Sequence, residues 1–249
     1  MIVSQLTPSS ATTQSAFHQI WKNGGFKSPL TSFIYCYNGT GAPPRSVCNG
    51  YDGIQTLGGY REKNVKGKVH WFENFVFPPV NDVDFVYDPP IYNYWGLPVS
   101  SFKIGDEVQA LNTSYKGQAG AIFDHASYGR GAPVSTNAYQ KLIALTSAKP
   151  IQLTEETRPN NGNQTDFAVD CTKVSSFPTL KYAFGSDPKE WVITPENYVE
   201  KVNGACVLNV RTLGEGDFQI GNFGETFAKD KLVIFDFDKL KVGLADLTW

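Results

Sequence analysis

The residues best placed to do chemistry lie in the segment AIFDHASYGRGAP, residues 121–133. Asp124 directly follows a short apolar run, and His125 and Ser127 stand close behind it. A carboxyl group becomes a useful acid or base when a neighbouring charge or burial shifts its pKa. The hydroxyl of Ser127 could hydrogen-bond Asp124, so this segment is the first candidate for a catalytic or binding loop.

Histidine and metal chemistry have less support in the sequence. His125 could be a pH-sensitive group because imidazole titrates near neutrality, although a plain polar loop residue is the simpler interpretation. His18 and His70 are dispersed elsewhere, so neither a Ser-His-Asp triad nor a zinc site is indicated. Asp236 and Asp238 could suggest a metal pair, but alternate positions on a strand beside a turn predict solvent-facing carboxylates. We expect no metal and no cofactor.

Four cysteines predict two disulfides. None belongs to a C-x-x-C pair, which argues against a metal site. Three pairings are possible in principle. Cys36 and Cys48 flank a loop whose Gly and Pro residues let it double back, so Cys36–Cys48 together with Cys171–Cys206 is the expected pairing.

Three N-x-S/T sequons predict glycosylation at Asn38, Asn112 and Asn163. Together with the even number of cysteines, they favour a secreted protein. The first residues have no basic segment followed by an apolar stretch, so no signal peptide is predicted. We therefore expect a mature chain, an expressed fragment or an incomplete reading frame.

The composition indicates a protein built mainly from strands. The 249 residues suffice for one large β-domain or two small domains. Charged residues make up only 18% and aromatic residues 14%, with 23 Gly and 15 Pro, which excludes a coiled coil and a disordered chain. The formal net charge of −2 argues against a general nucleic-acid binder, and no apolar run is long enough for a membrane span.

The sequence predicts two helices among many short strands. Apolar spacing predicts a helix over residues 15–23, and Ser135 after Pro133 is the expected N-cap of a second helix over residues 135–144. Residues 195–199 are expected to form at most one turn. The predicted strands are short runs of β-branched and aromatic residues. They are residues 32–37, 68–72, 74–77, 85–87, 121–123, 180–184, 190–193, 206–210 and 232–237.

A Pro-rich, aromatic-rich insertion spans residues 78–98. Its residues Tyr87, Tyr92, Tyr94 and Trp95 are the patch that we expect to contact a partner, since aromatic residues in rigid loops make binding hot spots. Packing into the core is the alternative for these side chains, and Trp71 and Trp191 are expected to be mostly core residues.

Several motifs are informative because of their order and distances along the chain. They are residues 121–133 followed by a helix, 171–180 (CTKVSSFPTL), 218–222 (FQIGN), 233–236 (VIFD) and 242–245 (VGLA). In that order they resemble the C-terminal lobe of a pepsin-like aspartic protease. Residues 56–60 (TLGGY), 67–71 (GKVHW) and 17–33 resemble the end of the N-terminal lobe. The resemblance implies a mainly β, pepsin-like C-terminal lobe with two short helices, spanning residues 66–249 after an N-terminal-lobe remnant at residues 1–65.

The same resemblance assigns Asp124 to the catalytic position of the C-terminal lobe. Pepsin-like catalysis needs two carboxylates that share a proton across a water, and this chain contains no second D-T/S-G triplet. By resemblance, the other Asp would precede residue 1, and Asp236 in the FD motif would have a structural role. Where the family has Thr and Gly after the Asp, this chain has His125 and Ala126, while Ser127 keeps a hydroxyl and Gly221 keeps its supporting place.

These departures predict a secreted, non-catalytic homologue that binds a protein or peptide partner. One alternative is a fragment or subunit of an aspartic endopeptidase that is active only with a second lobe supplying the other Asp. Another is a homodimer that rebuilds a cleft with two Asp residues. No nucleic acid and no membrane is expected among the partners.

Overall fold

The fold is known from a computed structural model of the chain. The structure describes residues 16–36, 42–75, 95–113, 117, 119–123, 132–153, 165–212 and 219–249. Its strands are β1 (Leu30–Tyr35), β2 (Gly53–Leu57), β3 (Val65–Glu73), β4 (Gly96–Ile104), β5 (Glu107–Val108), β6 (Ala119–Phe123), β7 (Ala132–Pro133), β8 (Lys149–Ile151), β9 (Asp166–Val169), β10 (Leu180–Phe184), β11 (Trp191–Ile193), β12 (Val199–Val202), β13 (Ala205–Leu208), β14 (Val210–Arg211), β15 (Gln219–Phe223), β16 (Lys231–Asp236) and β17 (Lys241–Leu247). This is the mainly β fold that the sequence predicts.

The helices are short and few among the described residues. They are α1 (Ala16–Lys22), α2 (Thr136–Thr146), α3 (Pro195–Tyr198) and α4 (Glu225–Ala228), with 3-10 turns at Arg45–Cys48, Glu62–Asn64 and Cys171–Ser176. The two predicted helices correspond to α1 and α2, and the predicted single turn to α3. Ser135 is the N-cap of α2, because its hydroxyl accepts a hydrogen bond from the backbone N–H of Ala138 at 3.4 Å. None of these helices has the length and apolar character that a membrane span requires.

The chain forms two compact units, unit 1 with residues 1–98 and 230–249 and unit 2 with residues 99–229. These bounds describe compactness and do not test the predicted lobe boundary at residues 65/66. In unit 1, an antiparallel five-stranded sheet has the order β2-β1-β16-β17-β3. All six residues of β16 are buried because this central strand is covered on both faces. One face packs a core cluster that contains the disulfide Cys36–Cys48.

Unit 2 is built around a six-stranded sheet. Its path runs β11-β10-β4-β6-β15, with β5 paired to β4. A four-stranded sheet, β12-β13-β9-β8, and a two-stranded pair, β14-β7, complete the described strands. Phe184, Phe223 and Phe227 lie fully buried in an aromatic core whose ring centroids are 4.3 to 6.0 Å apart. This core lies beneath the strand that leads to Asp124, because Phe123 contacts Phe223 at 5.6 Å.

The structure corrects two expectations about side-chain burial. Trp71 was expected in the core but is 40% exposed. The reason is that β3 is an edge strand, on which the ring of Trp71 lies over Gly243. Asp236, which the strand pattern predicted to face solvent and the family resemblance to be structural, is only 6% exposed. Its Oδ1 accepts the backbone N–H groups of Asp238 at 3.0 Å and Lys239 at 2.9 Å, so it closes the turn after β16.

Several strands lie where the sequence predicted none. They include β2, β4, β9 and β12. The predicted strand at residues 74–77 is not seen at 74–75, and its remainder, like that at residues 85–87, lies outside the described residues. The predicted disulfides are confirmed, since Cys36 pairs with Cys48 and Cys171 with Cys206.

Candidate active site

The approach to Asp124 is a fully buried strand. All five residues of β6 are buried, and Phe123, the last of them, is 2% exposed. Asp124, His125 and Ser127 themselves lie outside the described residues, so their predicted roles stay predictions. What the structure defines is the frame on either side of residues 124–131, which we call the Asp loop.

The entry side of the Asp loop is a pair of parallel strands. β6 pairs with β15 in parallel, with Ala121 opposite Gly221 and Phe123 opposite Phe223. Parallel neighbours end at the same edge of a sheet, so the Asp loop and the turn after Phe223 leave the pair at the same end. Gly221 has φ 135° at an irregularity in this register, a backbone angle that favours glycine. The glycine that the sequence singled out as a support therefore has a conformational reason.

The exit side of the Asp loop is held by backbone hydrogen bonds. Here β7 pairs in parallel with β14, with Ala132 opposite Val210 and Pro133 opposite Arg211. The N–H of Ala132 donates to the carbonyl of Asn209 at 2.9 Å. The N–H of Val134 donates to the carbonyl of Arg211, also at 2.9 Å. The residues that follow the Asp loop are therefore fixed to a neighbouring strand.

Tyr182 supplies a side-chain anchor at the same place. Its hydroxyl donates to the carbonyl of Pro133 at 2.5 Å, and the side chain is fully buried in β10. Burial raises the pKa of Tyr182 well above its usual value, so the phenol keeps its proton. A retained proton lets the hydroxyl donate at all ordinary pH values. Tyr182 therefore helps to set where the Asp loop ends.

Two further polar contacts and one buried cation complete the exit side. The side-chain amide of Asn209 donates to the hydroxyl of Thr226 at 2.8 Å, and both side chains are buried. The hydroxyls of Thr136 and Thr212 are 3.2 Å apart. Arg211 is only 9% exposed and brings a permanent positive charge to the strand beside the loop's exit. A buried guanidinium favours negative charge nearby.

Sequence reasoning missed these anchoring residues. Tyr182 and Pro133 are 49 positions apart, and Asn209 and Thr226 are 17 apart, so no local pattern links them. A tyrosine in a predicted strand with apolar residues at positions 180, 183 and 184 was the only available signal for Tyr182. A buried tyrosine hydroxyl usually has a partner, but the sequence cannot say which one.

The predicted aromatic binding patch is only partly within the structure. Trp95 is fully buried, stacks on Phe235 at 5.0 Å and meets Phe237 edge-on at 5.1 Å. The structure therefore favours core packing for Trp95 over contact with a partner. Tyr87, Tyr92 and Tyr94 lie outside the described residues.

The other predicted site residues are not brought together. Asn112 is half-buried after β5, and Asn38 and Asn163 lie outside the described residues, so glycosylation stays a prediction.

Desolvation and the charge of Lys22 lower the pKa of His18. In the described part of the chain, no cluster of three or more His, Cys, Asp or Glu side chains could hold a metal ion.

Comparison with known proteins places the whole described frame in one family. Residues 7–247 match the family model of eukaryotic aspartyl proteases. The chain is 57% identical over 251 residues to the aspartic protease-like protein pytH of Aspergillus terreus, covering 96% of this chain and 59% of that protein. It is 50% identical over 243 residues to a probable secreted aspartic protease of Arthroderma benhamiae, covering 94% of this chain and 58% of that protein. The chain thus spans less than two thirds of the length of these relatives.

Proposed function

Because the chain belongs to the eukaryotic aspartyl protease family, we propose that it uses the pepsin-like fold to bind a peptide or protein without hydrolysing it. The observation that carries the proposal is the sequence Asp124-His125-Ala126-Ser127 at the end of buried β6. The family's Thr and Gly at the second and third positions allow a tight loop beside the carboxylate. A Cβ at Ala126 and a bulky imidazole at His125 oppose that close backbone approach.

The residues on both sides of the Asp loop support a binding function for this site rather than a site without any function. Both parallel strand pairs, β6 with β15 and β7 with β14, hold the two sides of the Asp loop. The buried hydroxyl of Tyr182 and the amide of Asn209 each have a partner there. Hydrogen bonds at Tyr182 and Asn209 that persist beside a changed reactive triplet are what a binding surface needs, and they support the proposal.

We also propose an extracellular location. A relative from Arthroderma benhamiae is named a probable secreted aspartic protease, and one from Gibberella moniliformis, 26% identical, is named a secreted aspartic protease. The two disulfides, Cys36–Cys48 and Cys171–Cys206, suit an oxidising compartment.

The test is hydrolysis of denatured haemoglobin in mild acid, with pepstatin as the inhibitor control. The protein is expressed both as this chain and from the full source transcript. We expect no pepstatin-sensitive cleavage from either form. The double variant His125→Thr/Ala126→Gly restores the family triplet and shows whether these two residues are the obstacle. Cleavage by the unaltered protein that disappears in Asp124→Ala would refute the non-catalytic proposal.

The alternative function is an aspartic endopeptidase in which Asp124 works with an Asp from another segment or chain. The relatives named aspartic proteases favour it, since this chain matches less than two thirds of their length. Light scattering after size-exclusion chromatography separates a cleavage-competent homodimer from a monomer. Activity that follows the dimer fraction and depends on Asp124 would support the alternative.

A further inference from the structure

An open cleft with a volume of about 530 Å³ lies in unit 2, between the end of α2, the hairpin β8–β9 and the 3-10 turn Cys171–Ser176. We call it the α2 cleft. Its volume falls within the range that holds small organic ligands. The residues that line it do not include the anchors of the Asp loop, so it is a separate feature of the fold.

Four apolar side chains and two lysines are among the ten residues that line the α2 cleft, and the others are Thr146, Ser147, Asp170 and Ser176. The apolar side chains are Leu145, Ala168, Val169 and Phe177. Leu145 is 52% exposed. Lys149 and Lys173 also line the cleft, and both are exposed.

The two lysines have little charge compensation among the described residues. Among the described residues, no carboxylate forms an ion pair with Lys149. Lys173 has only a long contact, 3.9 Å, from its Nζ to Oδ2 of Asp170. The other oxygen of Asp170 accepts the backbone N–H of Thr172 at 2.9 Å and its hydroxyl at 2.7 Å. The described lining of the cleft thus holds two cations and one carboxylate, whose Oδ1 accepts two hydrogen bonds from Thr172.

The end of α2 does not offset this positive charge. The carbonyls that close a helix would normally disfavour an anion. Here the carbonyl of Ile143 accepts the N–H of Ala148 at 3.0 Å, and that of Leu142 accepts the hydroxyl of Thr146 at 2.8 Å. These two carbonyls are satisfied by the chain itself, which weakens the unfavourable effect of the helix end on an anion.

The wall that carries Lys173 and Phe177 is held in place covalently. Cys171 begins the 3-10 turn and is bonded to Cys206 in β13. The hydroxyl of Ser176 donates to the carbonyl of Lys173 at 2.7 Å, which stiffens the same turn. A preformed wall lowers the entropy that a ligand loses on binding.

From the apolar side chains along the cleft, the two lysines that have no ion pair shorter than 3.9 Å within the described residues, and the fixed wall, we infer that the α2 cleft binds a small amphiphilic carboxylate. The carboxylate would lie between Lys149 and Lys173, and the apolar body would lie against Leu145, Val169 and Phe177. Neither peptide hydrolysis nor partner binding at the Asp loop is needed for this site.

The test uses three probes with the same body and different head groups: 4-phenylbutyrate, 4-phenylbutanamide and 4-phenylbutylamine. Binding to the full chain is followed by NMR shifts of backbone amides. We expect 4-phenylbutyrate to bind with a Kd of order 1 mM, as the affinity per atom of such small ligands suggests. The shifts should centre on Lys149, Ala168 and Lys173. The amide should bind more weakly, and the amine most weakly.

Variants separate the site from nonspecific binding. Lys149→Gln and Lys173→Gln should each raise the Kd for 4-phenylbutyrate about three-fold, the size expected for an exposed ion pair, and leave the Kd for the amide unchanged. Lys68→Gln, an exposed lysine on β3, is the matched control and should change neither. Ala168→Leu should weaken all three probes by filling the cleft. Equal binding of the three probes, shifts elsewhere, or no effect of either cleft lysine would overturn the proposal.

Discussion

Two fully buried aromatic side chains, Trp95 in unit 1 and Tyr182 in unit 2, use their polar atoms differently. Both are 0% exposed and both stack on another ring. The indole N–H of Trp95 has no hydrogen-bond partner within the described residues, whereas the hydroxyl of Tyr182 donates to Pro133. Trp95 therefore contributes volume, and Tyr182 contributes volume and position. Beside the Asp loop, a core side chain therefore also fixes the position of the backbone.

Truncation to alanine should show the largest effects and test that difference. Trp95→Ala and Tyr182→Ala should each lower the free energy of unfolding by about 3–5 kcal/mol, because each leaves a large cavity. Tyr182→Ala should cost about 1 kcal/mol more, since the buried carbonyl of Pro133 loses its donor. Urea unfolding measures both. Tyr51→Ala, at a side chain that is 71% exposed, is the control and should stay within about 0.5 kcal/mol. Equal losses at Trp95 and Tyr182 would remove the distinction.

The two disulfides extend the comparison of the units. Cys36 and Cys48 are both 0% exposed in the core of unit 1, whereas Cys171 is exposed at the surface of unit 2. From sequence separations of 12 and 35, loop entropy predicts losses of about 3 and 4 kcal/mol when each is removed. Removing the buried pair adds a cavity, so the two losses should be similar.

Chemical reduction should nevertheless distinguish the two disulfides. Attack by a thiolate needs access to sulfur, so dithiothreitol should reduce Cys171–Cys206 first under native conditions. Cys36–Cys48 should react only as unit 1 opens. Alkylation followed by mass spectrometry gives the order. Simultaneous reduction would mean that the burial of Cys36 and Cys48 gives no protection.

The strands that the sequence identified are short runs rich in β-branched and aromatic residues. β16 was predicted from the run at residues 232–237, and β10 from residues 180–184. β4 was missed because its start lies in the Pro-rich insertion, where prolines argued for a loop. β2 was missed because it is an edge strand whose residues are all partly or fully exposed. The pattern of side chains along a strand indicates how much of the strand is buried, and the edge strand β2 buries little.

The candidate site was predictable in part, for a related reason. The resemblance located Asp124 at the end of β6 and Gly221 in the strand beside it. The partners of Tyr182, Asn209 and Arg211 depend on how distant strands pair, which no local spacing encodes. Asp236 shows the same limit, since an alternating pattern indicated solvent but both faces of β16 are covered.

Removing only the hydroxyl of Tyr182 isolates its positioning role. Tyr182→Phe should cost about 1 kcal/mol, the usual value for one hydrogen bond, and should lower hydrogen-exchange protection at the amides of Ala132 and Val134. Trp95→Phe is the matched variant. It should leave that protection unchanged, because the indole of Trp95 does not hold the Asp loop in position. Unchanged protection in Tyr182→Phe would mean that the backbone bonds alone hold the exit of the Asp loop.

The same variant has a predicted pH dependence. Burial raises the pKa of Tyr182 in the folded state, so its contribution to stability is present below the pKa of an unfolded tyrosine, about 10. That contribution is lost as the pH rises above that value toward the folded pKa. Unfolding free energies of the unaltered protein should therefore fall in alkali more steeply than those of Tyr182→Phe. Parallel pH curves would contradict the assigned pKa direction.

The smallest expected effect concerns the N-cap of α2, two residues after Pro133. The hydrogen bond from Ala138 N–H to the Ser135 hydroxyl is long, 3.4 Å, so Ser135→Ala should cost about 0.5 kcal/mol, the low end for an N-cap. Because Ser135 starts the helix that follows β7, its loss should also reduce protection at Val134, but less than Tyr182→Phe does. Urea unfolding of Ser135→Ala, Tyr182→Phe and the double variant measures whether the two supports are coupled. A double variant no less stable than Tyr182→Phe would show that the helix start depends on the tyrosine. An additive loss would show two separate supports for one exit.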